Sequence, residues 1–142
     1  MGTGEDTLID RAVKPAAPKA TVLIVEDVDL LRSLLQEFLQ EEGFNVRAAG
    51  TCASAQRIIA HTRIDAVVSD IRLPDGSGVA FCEVLRVAYP GLGIVMMTGF
   101  PNAPIPEWID GDRVPLLHKP VNLLTLSRAV KTVLGHSNAP AA

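Results

Sequence analysis

The chain has 142 residues, with 13 Lys and Arg against 16 Asp and Glu, a net charge of −3. That length suits one domain with a core large enough to fold without a disulfide or metal staple, and 48% hydrophobic against 20% charged residues excludes general disorder. The acidic balance argues against nucleic acid as a partner, no apolar run approaches the roughly 18 residues of a membrane helix, and MGTGEDTLID lacks the features of an export signal, so a cytoplasmic location is expected.

Residues 1–19 mix Gly, Thr, Ala, Pro and balanced charge without periodicity and read as a flexible tail or linker; 138–142 read as a frayed tail, leaving one domain over 20–137. Residues 22–25 (VLIV) form a continuous apolar run, the signature of a strand covered on both faces. A helix follows, with Leu30, Leu31, Leu34, Leu35, Phe38 and Leu39 in one stripe and Gly43 to end it. Residues 45–49 make a short second strand, Thr51 caps a helix running to about His61, and 65–70 (DAVVSD) make a third, buried strand. The loop from Arg72 to Gly78 leads into a helix through Ala80, Phe81, Val84, Leu85 and Ala88. Strand four spans 93–97 and strand five 114–118, and Asn122 caps a last helix that Gly135 stops.

Between strands four and five, Pro101, Pro104 and Pro106 each remove a backbone donor. At most a short or irregular fourth helix is expected there, beginning near Pro106. Strand–helix alternation implies an α/β fold: a doubly wound, five-stranded parallel sheet with helices on both faces. Ligands of such sheets bind beyond the carboxyl ends of the strands.

At those ends stand Glu26 and Asp27 after strand one, Asp70 after strand three, Thr98 after strand four and Lys119-Pro120 after strand five. Three converging carboxylates repel unless a positive group sits among them. Mg²⁺ suits all-oxygen ligands, Lys119 supplies a mobile charge that can reach a phosphate, and a carboxylate can itself act as nucleophile to give an aspartyl phosphate. Asp70, heading a turn-rich loop, is the best-placed acceptor. Taken singly, each residue has a plainer reading: Asp27 as a helix cap, Asp70 as a turn former, Thr98 as a strand-end hydroxyl, Lys119-Pro120 as a loop dipeptide. Their joint position at one sheet edge is what those readings leave unexplained. Cys52 and Cys82 read as reduced packing residues, and His61, His118 and His136 have no metal-ligand spacing.

The ordered set Glu26-Asp27, Asp70 within SDIRLPDGSG, Thr98 in MTG and Lys119-Pro120 resembles the receiver domains of two-component response regulators over residues 20–137. The resemblance implies a flavodoxin-like receiver fold and a phosphoacceptor that is not an enzyme in the ordinary sense. Asp70 would be the acceptor, and Asp27 and Asp70 would ligate Mg²⁺ directly. Glu26 would act mostly through a metal-bound water, and the backbone carbonyl of Arg72 would be a further ligand. Thr98 would hydrogen-bond the phosphoryl group, and Lys119, aimed by a cis bond to Pro120, would pair with a phosphoryl oxygen. It further implies a histidine kinase or histidine phosphotransfer protein as phosphodonor and a downstream protein as target. Leu116 stands where the family often has Tyr or Phe, so a phosphate sink or relay with little conformational output is the alternative reading. With nothing after residue 142, the chain is expected to resemble a stand-alone receiver or one from a hybrid kinase. An aspartyl-nucleophile phosphatase would need an acid where Arg72 stands, and a pure scaffold would not need the full acidic set.

Overall fold

The structure is a computed structural model that describes residues 19–137. The tails expected at 1–19 and 138–142 lie, except for Lys19, outside the described residues. Five strands form one parallel sheet: β1 (Thr21–Val25), β2 (Asn45–Ala49), β3 (Ala66–Asp70), β4 (Gly93–Thr98) and β5 (Leu116–His118). Their spatial order is β2-β1-β3-β4-β5, the doubly wound order 2-1-3-4-5 with its switch point between β1 and β3. Four helices connect or follow them: α1 (Asp29–Glu41), α2 (Cys52–His61), α3 (Gly78–Ala88) and α4 (Leu123–Ser137). No helix among the described residues is long and apolar enough to cross a membrane.

Strand alternation divides the core into two layers. Val22 and Ile24 of β1, Val68 of β3 and Met97 of β4 pack with Leu35 and Leu39 of α1 and Leu126 and Val130 of α4. Leu23 and Val25, Val67, and Ile94 and Met96 face the other way, onto Ala55 of α2 and Cys82 and Leu85 of α3. Both faces of the central strands are covered, which is why their sequence is continuously apolar.

Several helix ends follow the local chemistry. Gly43 adopts φ +99° just past α1, a conformation that favours glycine, and its N–H donates to the Gln40 carbonyl. The Thr51 hydroxyl accepts the Ser54 N–H at 3.1 Å and caps α2. Thr51→Ala should lower stability by about 1 kcal/mol without altering the fold. Urea unfolding of the two proteins checks this, and equal midpoints would contradict it. Asn122 Oδ1 accepts the Thr125 N–H at 3.0 Å, as its sequence position suggests.

Other expectations need correction. The stripe on α1 is only half buried: Leu35 and Leu39 are in the core, but Leu30 is 81% exposed and Leu34 48%. Leu31 and Phe38 are partly buried against the same core, so the stripe is deepest in the C-terminal turns and its Leu30 and Leu34 edge faces outward. The plainer reading of Asp27 as a helix cap does not hold, since the N-cap of α1 is Val28, which offers no side-chain cap. α4 runs through Gly135 to Ser137, because Leu126, Val130, Val133 and Leu134 are already packed on the sheet and glycine alone does not end a docked helix.

No helix forms between β4 and β5. Residues 99–115 are turns and bends. Each proline removes a donor and pushes the residue before it out of the helical region, which affects Phe100, Ala103 and Ile105. What would be a helix near Pro106 is one turn, with the Ile109 N–H donating to the Pro106 carbonyl at 3.1 Å. Asp110 then organises the return: Oδ1 accepts the Asp112 and Arg113 N–H groups at 3.0 Å each, with Gly111 at φ +84°. Those donors, Asp112 first, hold the Asp110 carboxyl below its usual range. Ile109 and Val114 are buried in the α2/α3 layer, with Trp108 packed against it and Arg86 of α3 stacked on the indole at 4.9 Å. The segment therefore closes the core as a loop.

Candidate phosphoacceptor site

Parallel pairing sets the ends of β1, β3, β4 and β5 side by side. Glu26 directly follows β1, Asp70 ends β3, Thr98 ends β4 and Lys119 directly follows β5. The Glu26 N–H donates to the Ala49 carbonyl, and the Lys119 N–H to the Thr98 carbonyl, which extends the sheet bonding to both residues.

Lys119 Nζ donates to Glu26 Oε1 and to Asp70 Oδ2, each at 2.6 Å. It thus bridges the first and third strands from the fifth, across 93 positions of sequence for Glu26. The Lys119-Pro120 peptide is cis. Glu26 is fully buried, and its other oxygen, Oε2, accepts the Val28 N–H at 3.0 Å. Burial pushes its carboxyl above the usual range, and the Lys119 and Val28 hydrogen bonds offset that only in part. Burial would lower the Lys119 ammonium, but the hydrogen bonds to Asp70 and Glu26 outweigh it and hold the group above its usual value. Asp70 is nearly buried, with Oδ1 accepting the Arg72 N–H at a long 3.3 Å.

Asp27 is exposed and has no hydrogen bond or ion pair among the described residues. Ligand oxygens of Glu26, Asp27 and Asp70 lie within 4.8 Å of one another. Three carboxylates against one ammonium leave the cluster net negative, and the oxygens not held by Lys119 are hard donors at close range. That donor set fits a small divalent cation such as Mg²⁺.

The Thr98 hydroxyl bonds elsewhere, and the Arg72 side chain faces outward, as expected of a residue that contributes only its backbone. The Thr98 hydroxyl, though buried, is turned to its own loop: it donates to the Phe100 carbonyl at 3.2 Å and accepts the Phe100 N–H at 3.0 Å. The Arg72 side chain is exposed, its guanidinium stacked on the Phe100 ring at 4.2 Å from the centroid. Only backbone of Arg72 faces Asp70. Leu116 is partly buried in the α2/α3 layer.

Three further residues near the site escape a reading by strand ends. Arg32 Nη1 donates to the Glu26 carbonyl at 2.8 Å and fixes the backbone before Asp27. The Ser69 hydroxyl donates to the Asp70 carbonyl at 2.9 Å. Asp75, at the tip of a small hairpin after Asp70, reaches the start of α2. The DG pair at Asp75-Gly76 marks a turn in the sequence, but nothing local names its partner.

The chain matches the family model for the response regulator receiver domain over residues 22–131. It is 30% identical over 118 residues to the sensor kinase CckA of Brucella abortus, covering 81% of this chain and 12% of that protein. It is 38% identical over 78 residues to the probable transcriptional regulatory protein TcrX of Mycobacterium tuberculosis, covering 55% of this chain and 33% of that one. It therefore spans a third or less of these two relatives. A response regulator receiver protein from Sinorhizobium medicae superposes with a TM-score of 0.75 at 27% identity, covering 87% of this chain and all of that one. The fold and its sheet-edge site define a flavodoxin-like receiver. The chain belongs to the response regulator receiver domain family of two-component signal transduction, whose members are phosphoacceptors.

Proposed function

We propose that Asp70 accepts a phosphoryl group from a phosphohistidine on a histidine kinase or histidine phosphotransfer protein in the cytoplasm. The observation that carries this reading is the Lys119 ammonium bridging Asp70 and buried Glu26 beside the unpaired carboxylate of Asp27. An Asp70 oxygen attacks phosphorus, a P–O bond forms, and the donor's P–N bond breaks with its electron pair returning to the imidazole. Asp27 and Asp70, with the Arg72 carbonyl and Glu26 through water, would hold Mg²⁺, which when bound neutralises charge on the phosphoryl oxygens. Lys119 already touches the acceptor carboxylate, so it is placed to follow the new charge onto the phosphoryl group. Exposed Val28, Leu30 and Leu34, next to Asp27, offer an apolar surface on which the donor can seat.

Output follows from Thr98. Its hydroxyl must leave the Phe100 carbonyl to reach a phosphoryl oxygen, which pulls on residues 99–115 and shifts affinity for a downstream protein. Residues 20–137 form the receiver unit, with 1–19 as a tail or linker. The net negative chain favours a protein partner over nucleic acid.

The test is intact-mass analysis after incubation with Mg²⁺ and acetyl phosphate or phosphoramidate. One phosphoryl gain is expected, absent with EDTA and absent in Asp70→Asn. A stable gain in Asp70→Asn would overturn the assignment. A second reading, a phosphate sink or relay, is favoured by Leu116 and by the missing helix in residues 99–115. It predicts little NMR shift over 98–120 on binding beryllofluoride, whereas the switch predicts a large one.

A further inference from the structure

The hairpin that follows Asp70 has strands of only two residues, Arg72–Leu73 and Gly76–Ser77. A hairpin this short is not stable alone. Arg72, Pro74, Asp75, Gly76 and Ser77 are all exposed, so burial does not hold its outer part. Its base is fixed by buried Leu73 and by the Gly78 N–H donating to the Ile71 carbonyl at 2.7 Å. Its tip is fixed from elsewhere: the Asp75 carboxylate accepts the Cys52 N–H at 2.9 Å and the Ala53 N–H at 3.1 Å.

These are the first two N–H groups of α2, which have no partner within the helix. The third free donor, Ser54 N–H, is already taken by Thr51. α2 thus has a local cap of its own, and the Asp75 contact adds a link between α2 and the hairpin across 22 and 23 positions. The positive end of α2 favours a carboxylate there, and those two donors hold Asp75 below its usual range.

We propose that Asp75 is a positioning residue of the phosphoacceptor site: by clamping the hairpin tip to α2, it holds the Arg72 backbone in place over Asp70. This rests on the proposed function of that site. Arg72 connects the two, because its N–H meets Asp70 Oδ1 and it belongs to the first hairpin strand. Without the clamp, the hairpin pivots on its base and Arg72 no longer presents a fixed backbone to a cation held by Asp27 and Asp70.

The experiment compares Asp75→Ala, Asp75→Asn and Thr51→Ala, each as the full chain. Thr51→Ala loosens the same helix end but leaves the hairpin clamp, so it reports the effect of helix destabilisation alone. Mg²⁺ is titrated into each protein by calorimetry, and amide exchange of Arg72 and Gly78 is followed by NMR without Mg²⁺. Asp75→Ala is expected to weaken Mg²⁺ binding roughly tenfold, as loss of an outer-shell support does, and to speed exchange at Arg72 and Gly78 beyond the change in Thr51→Ala. Asp75→Asn, which keeps an acceptor oxygen, should recover part of both. Equal effects in Asp75→Ala and Thr51→Ala, or none in either, would overturn the proposal. A parent protein that binds no Mg²⁺ would instead sink the reading of the metal site, and the exchange comparison would still decide whether Asp75 holds the loop.

Discussion

Lys119→Met should slow phosphorylation of Asp70 by roughly 10²–10³-fold, the cost of removing one aimed donor from a site of developing charge. The variant also loses stability. Glu26 is fully buried and Asp70 nearly so, and Lys119 is their shared positive partner. Removing one member of a buried pair costs about 3 kcal/mol, because the other charge stays buried.

The cost should depend on pH. The folded-state value of Lys119 lies above 10.5, so its stabilisation is fully present below that and fades only as pH rises through the folded-state value. Glu26 is raised above 4.5, so its ionised form works against the fold at neutral pH, and the cost is relieved as pH falls through the folded-state value. Without Lys119, Glu26 should take up its proton at higher pH. Urea unfolding should therefore show the gap between the two proteins narrowing as pH falls from neutral to the acid side, because the variant gains more from protonation of Glu26. A gap of constant size would show that Glu26 does not depend on Lys119.

Gly78→Ala should be among the most damaging single substitutions in the chain. A Cβ there would lie 1.8 Å from the Asp70 carbonyl oxygen and 3.1 Å from that of Ile71. Both obstacles are backbone, so no rotamer change relieves the clash. The loop must move away from Asp70 or β3 must shift, and the Gly78–Ile71 hydrogen bond breaks in either case. The loss should be about 3 kcal/mol or more, accompanied by loss of phosphorylation because the displaced residue is the acceptor. Gly135→Ala is the matched control. It lies in α4 with nothing within 4 Å of a Cβ, and should be neutral or stabilising by up to about 1 kcal/mol. Urea midpoints and the intact-mass assay check both, and a Gly78→Ala protein as stable as its parent would contradict the close approach.

The two glycines also show how far the sequence can be read. Gly78 and Gly135 look alike in a string of residues: one follows a turn, the other falls late in a helical pattern. Only the fold sets Gly78 against a carbonyl and leaves Gly135 in open space. The same limit applies to α1. Its helical spacing is plain, but the docking angle decides that Leu35 and Leu39 are buried while Leu30 stays 81% exposed.

The five strands, their parallel arrangement and the helices between them were legible because apolar period and turn residues are local properties. So were the acids and the lysine at the strand ends, since a parallel sheet places those ends on one edge. The prolines at 101, 104 and 106 limited the segment to at most a short or irregular helix, through donors absent from the chain itself, but that no helix forms there at all is seen only in the structure. The Asp110 turn and the burial of Ile109 and Val114 needed the assembled core. Tertiary structure alone decided the partners: Lys119 with Glu26 and Asp70, Asp75 with the start of α2, and Thr98 with the backbone of Phe100 in place of the acidic cluster. A carboxylate at a turn has many possible donors in sequence. Which one it meets depends on which elements the closed sheet brings within hydrogen-bond distance.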